Sequence, residues 1–374
     1  YKPIEEILCE TFGPMVGNTH SEASVTGTTM TLAYHEAHKI IKDHVNAGTA
    51  DVIIPTGYGM TTVVCKFQRL LGLKIPEQLA DYSKLPEELK PGVFITHMEH
   101  HSNQTTWIET IAEVVVINPN DDGLVDVNDF RIKLEKYKNR KLKIGAFTAA
   151  SNVTGIESDY HELAKIIHKE GGYCFVDFAC SAPYTKIDMH PSDLEAKLDA
   201  IFFSPHKFLG GPGTPGVLVF DSKLYHNKVP DLPGGGTVDW TNPWGQHKFV
   251  TNIEAREDGG TPAFLQTIKA ALCIKLKEEM TVGKIRAREE ELVKYSEKIN
   301  EDLYPKNRKI YEVSKFKFKE EFIEHIKSDL KLFDELLTIL HSLNFVKDDP
   351  KSKCLVEHIK TQLRNEPARK VAIF

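Results

Sequence analysis

Two side chains that are capable of taking part in a reaction lie where short apolar runs end. Lys207 lies in the stretch S-P-H-K-F-L-G-G-P-G (residues 204–213), just after an apolar run and just before small glycines. A lysine amine that loses water in such surroundings can act as a nucleophile and later as a proton carrier. Asp177 ends the apolar stretch Y-C-F-V, where a carboxylate costs free energy unless it meets a positive partner. The pair therefore predicts a site that combines an amine nucleophile with a carboxylate facing a cationic group.

Three further polar clusters follow other apolar runs: T-G-Y-G-M-T (residues 56–61), M-E-H-H (98–101) and S-N-V-T-G (151–155). Ligands of open α/β sheets bind outside the carboxyl ends of the strands, so we expect all of these clusters to surround one site. The turn at residues 57–60 leads into a helical pattern from Thr61. Backbone N–H groups at the start of a helix bind phosphate, and this turn has the geometry of such a site.

The elements that must position these clusters form an alternating pattern. From residue 27 to about residue 220, short apolar runs alternate with stretches of helical periodicity, which predicts an α/β fold with a mostly parallel seven-stranded sheet and helices on both faces. The expected strands are residues 51–55, 92–97, 114–118, 143–149, 173–178, 199–204 and 216–220. The expected helices are residues 30–46, 61–71, 128–137, 160–170 and 267–300, the last as one or two helices.

A smaller second domain is expected outside this alternation. The stretch P-D-L-P-G-G-G (residues 230–236) interrupts the pattern, and after residue 300 only residues 309–313 and the last few resemble strands. We therefore expect a large domain at residues 16–262 and a smaller α-rich domain from residues 1–15 and 263–374. The chain opens at Tyr1 without a methionine and stops in the apolar run V-A-I-F, so we expect both ends to be incomplete.

The composition excludes several classes of partner. The chain has 374 residues with a net charge of -6, so no global positive field gathers nucleic acid or anionic lipid. Its apolar runs are far shorter than the roughly 20 residues that cross a bilayer. The six cysteines form no C-x-x-C pair and follow no signal segment, which disfavours disulfides and a zinc site. We expect a cytoplasmic protein that acts on a small molecule without a metal.

The clusters together resemble a known family. V-D-F-A-C (residues 176–180) followed by S-P-H-K-F-L-G-G-P-G looks like the aspartate and lysine signatures of class V aminotransferases. M-E-H-H-S-N and S-N-V-T-G resemble segments of the cysteine desulfurase and selenocysteine lyase branch, in the same order and at compatible spacing. The resemblance covers residues 16–262. It implies the fold type I of pyridoxal 5'-phosphate (PLP) enzymes, in which the cofactor serves as an electron sink.

The resemblance assigns the three expected catalytic residues. Lys207 would carry PLP as a Schiff base, and Asp177 would pair with the protonated ring nitrogen. His100 matches the family histidine that stacks on the cofactor ring, and we prefer it to His101 for this role. In this reading the enzyme acts on an amino acid through Lys207.

The remaining cofactor contacts also follow from the resemblance. G-M-T (residues 59–61) resembles the family turn that binds the phosphate, so the amide of Met60 and the hydroxyl of Thr61 are candidates. Ser204 and His206 match other phosphate contacts. They complete the expected phosphate site.

Three more positions are expected to act at the ring or across an interface. Asn152 aligns with the family asparagine near the ring oxygen and the substrate. Cys180 stands where many relatives have glutamine or histidine, and a thiol is a weaker donor. Thr261, in G-G-T-P (residues 259–262), resembles a family threonine that reaches the phosphate of the neighbouring subunit. It implies a homodimer with shared active sites.

The reaction itself is left open by the sequence. Desulfurases and selenocysteine lyases that resemble this chain place a reactive cysteine and a carboxylate-binding arginine well after the lysine. Cys354 lies 147 residues beyond Lys207, but its surroundings read as helical, and Arg364 and Arg369 follow it instead of preceding it. Three hypotheses therefore stand: a desulfurase or selenocysteine lyase, which leads; an epimerase or aminotransferase; and a PLP-binding protein without turnover.

Overall fold

The computed structural model describes residues 1–19, 23–82 and 85–303. By its internal contacts the chain divides into two compact units, Tyr1–Ala287 and Arg288–Phe374. The first unit contains the whole sheet and the expected site. The predicted domains, which meet at residue 262, stay a prediction. Residues 309–313, Cys354, Arg364 and Arg369 lie outside the described part of the chain.

A seven-stranded sheet forms the centre of the first unit. Its strands are β1 (Asp51–Thr56), β2 (Gly92–Thr96), β3 (Glu113–Ile117), β4 (Lys143–Thr148), β5 (Tyr173–Asp177), β6 (Ala200–Phe203) and β7 (Gly216–Asp221). Their spatial order is β1-β7-β6-β5-β4-β2-β3. Only β7 runs antiparallel to its neighbours β1 and β6. All seven predicted strands are present within two residues of their predicted ends, and the mostly parallel sheet is confirmed.

The strands other than β3 are buried along most of their length because helices cover both faces of the sheet. Along β1, Ile53 packs in one core cluster with Ile41, whereas its neighbours Val52 and Ile54 pack in another cluster with Phe67. Successive side chains of a strand point to opposite faces, so two separate cores follow from this alternation. Strands that are buried on both sides read as continuous apolar runs, which explains why the sequence pattern located them so well.

The described residues also form helices that precede, connect and follow the strands in the chain. They are α1 (Lys2–Glu6), α2 (Val25–His44), α3 (Met60–Leu70), α4 (His101–Ile108), α5 (Val127–Lys136), α6 (Tyr160–Lys169), α7 (Ile253–Arg256), α8 (Phe264–Met280) and α9 (Val282–Leu303). The structure shows no helix in this part of the chain with the length and hydrophobicity that a membrane crossing requires.

The structure differs from the sequence prediction at the start of α2 and in five short elements. Helix α2 begins five residues before the predicted start, because the Ser24 hydroxyl accepts a hydrogen bond from the Gly27 amide (3.0 Å) and caps the first turn. Helices α1, α4 and α7 were not predicted. Neither was the hairpin of β8 (Val238–Thr241) and β9 (His247–Phe249), which follows the glycine-rich stretch.

Candidate active site

A cavity of about 410 Å³ opens at the carboxyl ends of β1, β2, β4, β5 and β6. Its volume falls in the range of small-molecule sites. The structure brings together around it nine of the ten residues singled out from the sequence, namely Met60, Thr61, His100, Asn152, Asp177, Cys180, Ser204, His206 and Lys207. Residues far apart in the chain meet here because parallel strands end at one edge of the sheet.

One end of the cavity is built to hold an anion. Helix α3 begins at Met60, and the first N–H groups of a helix have no partner within it and carry partial positive charge. The Met60 amide donates to the Ser204 hydroxyl (2.8 Å), so the proton of that hydroxyl is free to point elsewhere. The Thr61 hydroxyl lies 2.7 Å from the Ser102 hydroxyl. The Met60 amide therefore orients Ser204 in this structure, and the hydroxyls of Ser204 and Thr61 stand beside the start of α3 as further donors for an anion.

His206 stands beside the same turn with its ring against Gly59. Burial and the charge of Lys207 lower the pKa of His206, while a backbone hydrogen bond at Tyr58 opposes them. Gly59 has φ 142°, and a methyl group there would stand 2.6 Å from the His206 ring and 3.2 Å from the Ser204 hydroxyl. The glycine lets the backbone approach both side chains closely.

Gly59→Ala is expected to weaken anion binding at this turn by about tenfold or more, because the new methyl group displaces His206 and strains the backbone. Titration of the purified protein with PLP, followed by absorbance, measures the effect. Gly72→Ala is the matched control, since Gly72 also has positive φ (70°) but a methyl group there meets nothing within 4 Å. Equal affinities in the two variants would contradict the assigned role of the Gly59 turn.

Asp177 places a carboxylate inside the protein, at the end of β5. The residue is only 3% exposed, and the one hydrogen bond that the structure shows for its side chain comes from the Ala179 amide (2.8 Å). Burial raises the pKa of Asp177 to about 6, against the opposing effects of the Ala179 amide and the positive charge of Lys207. The cost of burying this carboxylate is offset only in part by the hydrogen bond from Ala179. Such a group fits a site where a bound cation pairs with it.

His100 lies across the cavity as the N-terminal cap of α4. Its Nδ1 accepts a hydrogen bond from the Ser102 amide (3.1 Å), so the proton of the neutral ring sits on Nε2. Burial, together with the charges of Lys207 and His101, lowers the pKa of His100, which favours the neutral ring. A neutral, oriented aromatic ring is suited to stacking on a flat ligand.

The other lining residues occupy loops around the same space. Lys207 ends a 3-10 turn (Pro205–Lys207) directly after β6 and is exposed to the cavity. Asn152 lies in a turn that the Ser151 hydroxyl stabilises by accepting from the Val153 amide (3.2 Å). The Cys180 thiol donates one long hydrogen bond to the Ser151 carbonyl (3.9 Å).

Sequence reasoning missed Glu99, which ties the strand ends together beneath the cavity. Its carboxyl group accepts from the Thr96 hydroxyl (2.7 Å), the Asn103 amide nitrogen (2.7 Å) and the Thr148 backbone N–H (2.9 Å). These groups belong to β2, α4 and β4. Burial raises the pKa of Glu99 to about 7. The M-E-H-H cluster could have indicated this role, because Glu99 directly precedes His100, the histidine expected to stack on the cofactor ring.

Thr261 is the one expected site residue that does not line the cavity. It is exposed and lies in the loop before α8. Thr261 therefore does not reach the anion-binding end of the cavity in its own subunit. Its expected action in a neighbouring subunit stays a prediction.

The comparisons with known proteins agree with this geometry. Residues 6–305 match the family described as Aminotransferase class-V. A probable cysteine desulfurase from Halalkalibacterium halodurans is 30% identical over 302 residues, which cover 79% of this chain and 68% of that protein. A probable cysteine desulfurase from Pyrococcus abyssi is 26% identical over 297 residues, with 78% and 68% covered. The chain thus spans about two thirds of the length of these relatives.

A solved structure shows the same architecture. The apo structure of a cysteine desulfurase from Thermococcus onnurineus NA1 has a TM-score of 0.64 and 27% sequence identity, over 81% of this chain and 70% of that one. The predicted fold type I of PLP enzymes is thereby confirmed. With a family match that spans most of its length, this chain belongs to the class V aminotransferase family.

Proposed function

We propose that this chain is a PLP-dependent enzyme that removes sulfur from cysteine, in the manner of a cysteine desulfurase. The observation that carries the proposal is the meeting of Lys207, the buried Asp177 and the anion end in one cavity. The relatives that share the family are named cysteine desulfurases, which supports cysteine as the substrate.

The residues present fit PLP by their chemistry. Asp177 is a buried carboxyl group with one hydrogen bond from the described residues, and it suits a protonated ring nitrogen. The start of α3, the hydroxyls of Thr61 and Ser204, and His206 provide donors for a phosphate. Gly59 leaves open the space that a methyl group would fill. Opposite charges are thus expected at the two ends of the ligand, and the cavity offers the matching group at each end.

Each residue would contribute a separate function. Bound PLP supplies an electron sink for negative charge that develops on the substrate. Lys207 would hold the cofactor covalently through its Nζ and afterwards move a proton to or from the substrate. Asp177 would keep the ring nitrogen protonated, and His100 would fix the tilt of the ring. Asn152 and Cys180 would face the ring oxygen.

We also propose that the active unit is a homodimer in which Thr261 serves the neighbouring subunit. Its exposure in the loop before α8 and its absence from the cavity of its own chain support this arrangement. The resemblance of G-G-T-P to a family turn is the second support. The hydroxyl of Thr261 would add a donor to an anion end where Met60 offers none from its side chain.

The test is incubation of the PLP-loaded protein with cysteine and dithiothreitol, whose thiols accept the sulfur atom and supply the two electrons that release it as sulfide. We expect alanine and sulfide in equal amounts, measured by chromatography and a sulfide assay. Serine, which has no sulfur to release, is the matched control substrate.

The other outcomes separate the competing hypotheses. A racemised amino acid or a keto acid without sulfide would favour an epimerase or an aminotransferase. A cofactor absorbance band without any product would favour a binding protein. A protein that takes up no PLP would contradict the assignment of the cavity as well as the reaction.

A further inference from the structure

Lys277, a buried lysine of α8, contacts two loops that line the cavity. One follows β5 and carries Cys180, and the other follows β6 and carries Lys207. Lys277 is 5% exposed, and its Nζ donates to the Ala182 carbonyl (2.6 Å) and the Thr185 carbonyl (2.5 Å). The same Nζ lies 5.7 Å from the centre of the Phe208 ring. Ala182 and Thr185 follow Asp177 and Cys180 in the chain, and Phe208 follows Lys207 directly.

All three N–H donors of Lys277 have acceptors. The third is Nε2 of His44, at 3.3 Å. Burial and the charge of Lys277 lower the pKa of His44 to about 4, so its ring is neutral, and its Nδ1 lies 3.0 Å from the Glu278 carboxylate. With Nδ1–H directed to Glu278, Nε2 is free to accept. An ammonium group has three donors and no acceptor, so these three partners match it completely.

The segment that Lys277 holds is a short turn at residues 178–185. Within it, the Ala182 amide donates to the Phe178 carbonyl (2.8 Å) and the Thr185 amide to the Ser181 carbonyl (3.0 Å). Carbonyl groups at the end of such a turn carry partial negative charge, which a cation stabilises. The turn is too short to be stable alone. The Cys180 side chain projects from it into the cavity's lining.

We propose that Lys277 is a positioning residue, whose ammonium group holds the turn at residues 178–185 and the ring of Phe208 and thereby orients Cys180 and Lys207 in the cavity. The inference rests on the proposed function, because this orientation matters for a cofactor that both groups face. Without Lys277, three acceptors lose their donor in a buried place, and the turn opens more often.

The test compares Lys277→Met with Lys275→Met, a variant of an exposed lysine on the same helix. Iodoacetamide labels the cofactor-free proteins at pH 7.0, and peptide mapping gives the rate at each cysteine. Burial lowers the pKa of Lys277 to about 8, so at this pH the wild-type amine keeps all three N–H groups. We expect Lys277→Met to raise the rate at Cys180 about tenfold, with Lys275→Met unchanged.

Cys174 and Cys273, both buried, report general loss of stability. We expect their labelling to stay slow in Lys277→Met, and an equal rise at all three cysteines would overturn a specific positioning role. An unchanged rate at Cys180 in folded Lys277→Met would overturn it too. Should this variant not fold, Lys277→Gln, which keeps two N–H donors, is compared with Lys275→Gln. A rise of about threefold at Cys180 alone is then expected, and no rise overturns the proposal.

Titration with PLP completes the experiment. We expect Lys277→Met to bind PLP about tenfold more weakly than wild type, and equal affinities would show that the turn does not matter for the cofactor. If wild-type protein binds no PLP, the proposed function fails, whereas the labelling of Cys180 still tests the contact between Lys277 and the turn.

Discussion

Lys207→Ala is expected to abolish turnover, with a loss of about a thousandfold or more, and to remove the absorbance band of covalently held PLP. The variant lacks the only amine that lines the cavity among the described residues. The anion end and Asp177 remain intact, so the variant is still expected to bind PLP, but without a covalent bond. Absorbance spectra before and after gel filtration, together with the cysteine assay, measure both effects.

Lys207→Arg is the matched control for the charge of this side chain. Arginine stays protonated and cannot supply a free amine, so we expect it to be as inactive as alanine. Full activity in either variant would mean that Lys207 contributes only its charge or nothing, and the proposed function would then be wrong.

Mixed dimers connect Lys207 with the proposed action of Thr261 across an interface. When Lys207→Ala and Thr261→Ala subunits exchange, a shared-site dimer contains one site with both lesions and one site with neither. We expect activity above that of either parent, rising toward half of the wild-type value per dimer. Mixtures no more active than the parents would contradict the homodimer with shared sites.

The sheet and the cavity lining were predictable for the same physical reason. Parallel strands that are buried on both faces appear as unbroken apolar runs, and β5 ends abruptly at Asp177. Because ligands bind at the carboxyl ends of such strands, the polar residue after each run is a candidate from the sequence alone. Lys207 and Asn152 were found by this rule, and the family resemblance supplied their roles.

The features that sequence reasoning missed depend on contacts between distant residues. Glu99 stood in a recognised cluster, yet its partner Thr148 is 49 residues away, and only the fold shows the contact. The hydrogen bond from the Met60 amide to Ser204, which lies on another loop, was likewise not foreseen, and the expected role of this amide at a phosphate stays a prediction. Lys277 belongs to none of the sequence clusters. Its burial results from packing of α8 against α2 and the turn after β5.

Asp177→Ala is expected to lower turnover by about a hundredfold to a thousandfold, which corresponds to about 3 to 4 kcal/mol of lost electrostatic stabilisation. The alanine leaves the ring nitrogen of PLP without the carboxylate that would keep it protonated, so the cofactor would stabilise negative charge poorly. The measurement is kcat in the cysteine assay at saturating PLP. Asp177→Glu keeps the charge and should lose less activity, and equal activity in wild type and Asp177→Ala would assign Asp177 a purely structural role.

The pH dependence of stability gives an independent test of Asp177 in the cofactor-free protein. Its pKa is raised from 3.8 to about 6 on folding, so between about pH 4 and 6 the folded state binds more protons than the unfolded state. The free energy of unfolding must therefore fall as pH rises through this window. A shift of about two units corresponds to about 3 kcal/mol.

The variant Asp177→Asn distinguishes the contribution of Asp177 from that of Glu99. The raised pKa of Glu99 also makes the free energy of unfolding fall as pH rises, over an overlapping range. Asp177→Asn has no proton to lose, so its decline in stability from pH 4 to 6, measured by urea unfolding, should be smaller than that of wild type by about 3 kcal/mol. The carboxylate that costs this stability in the cofactor-free protein is the same group that a cationic ring would stabilise. PLP should consequently stabilise wild type more than Asp177→Asn above pH 6, and identical stabilisation of the two proteins would exclude a pairing between Asp177 and the ring nitrogen.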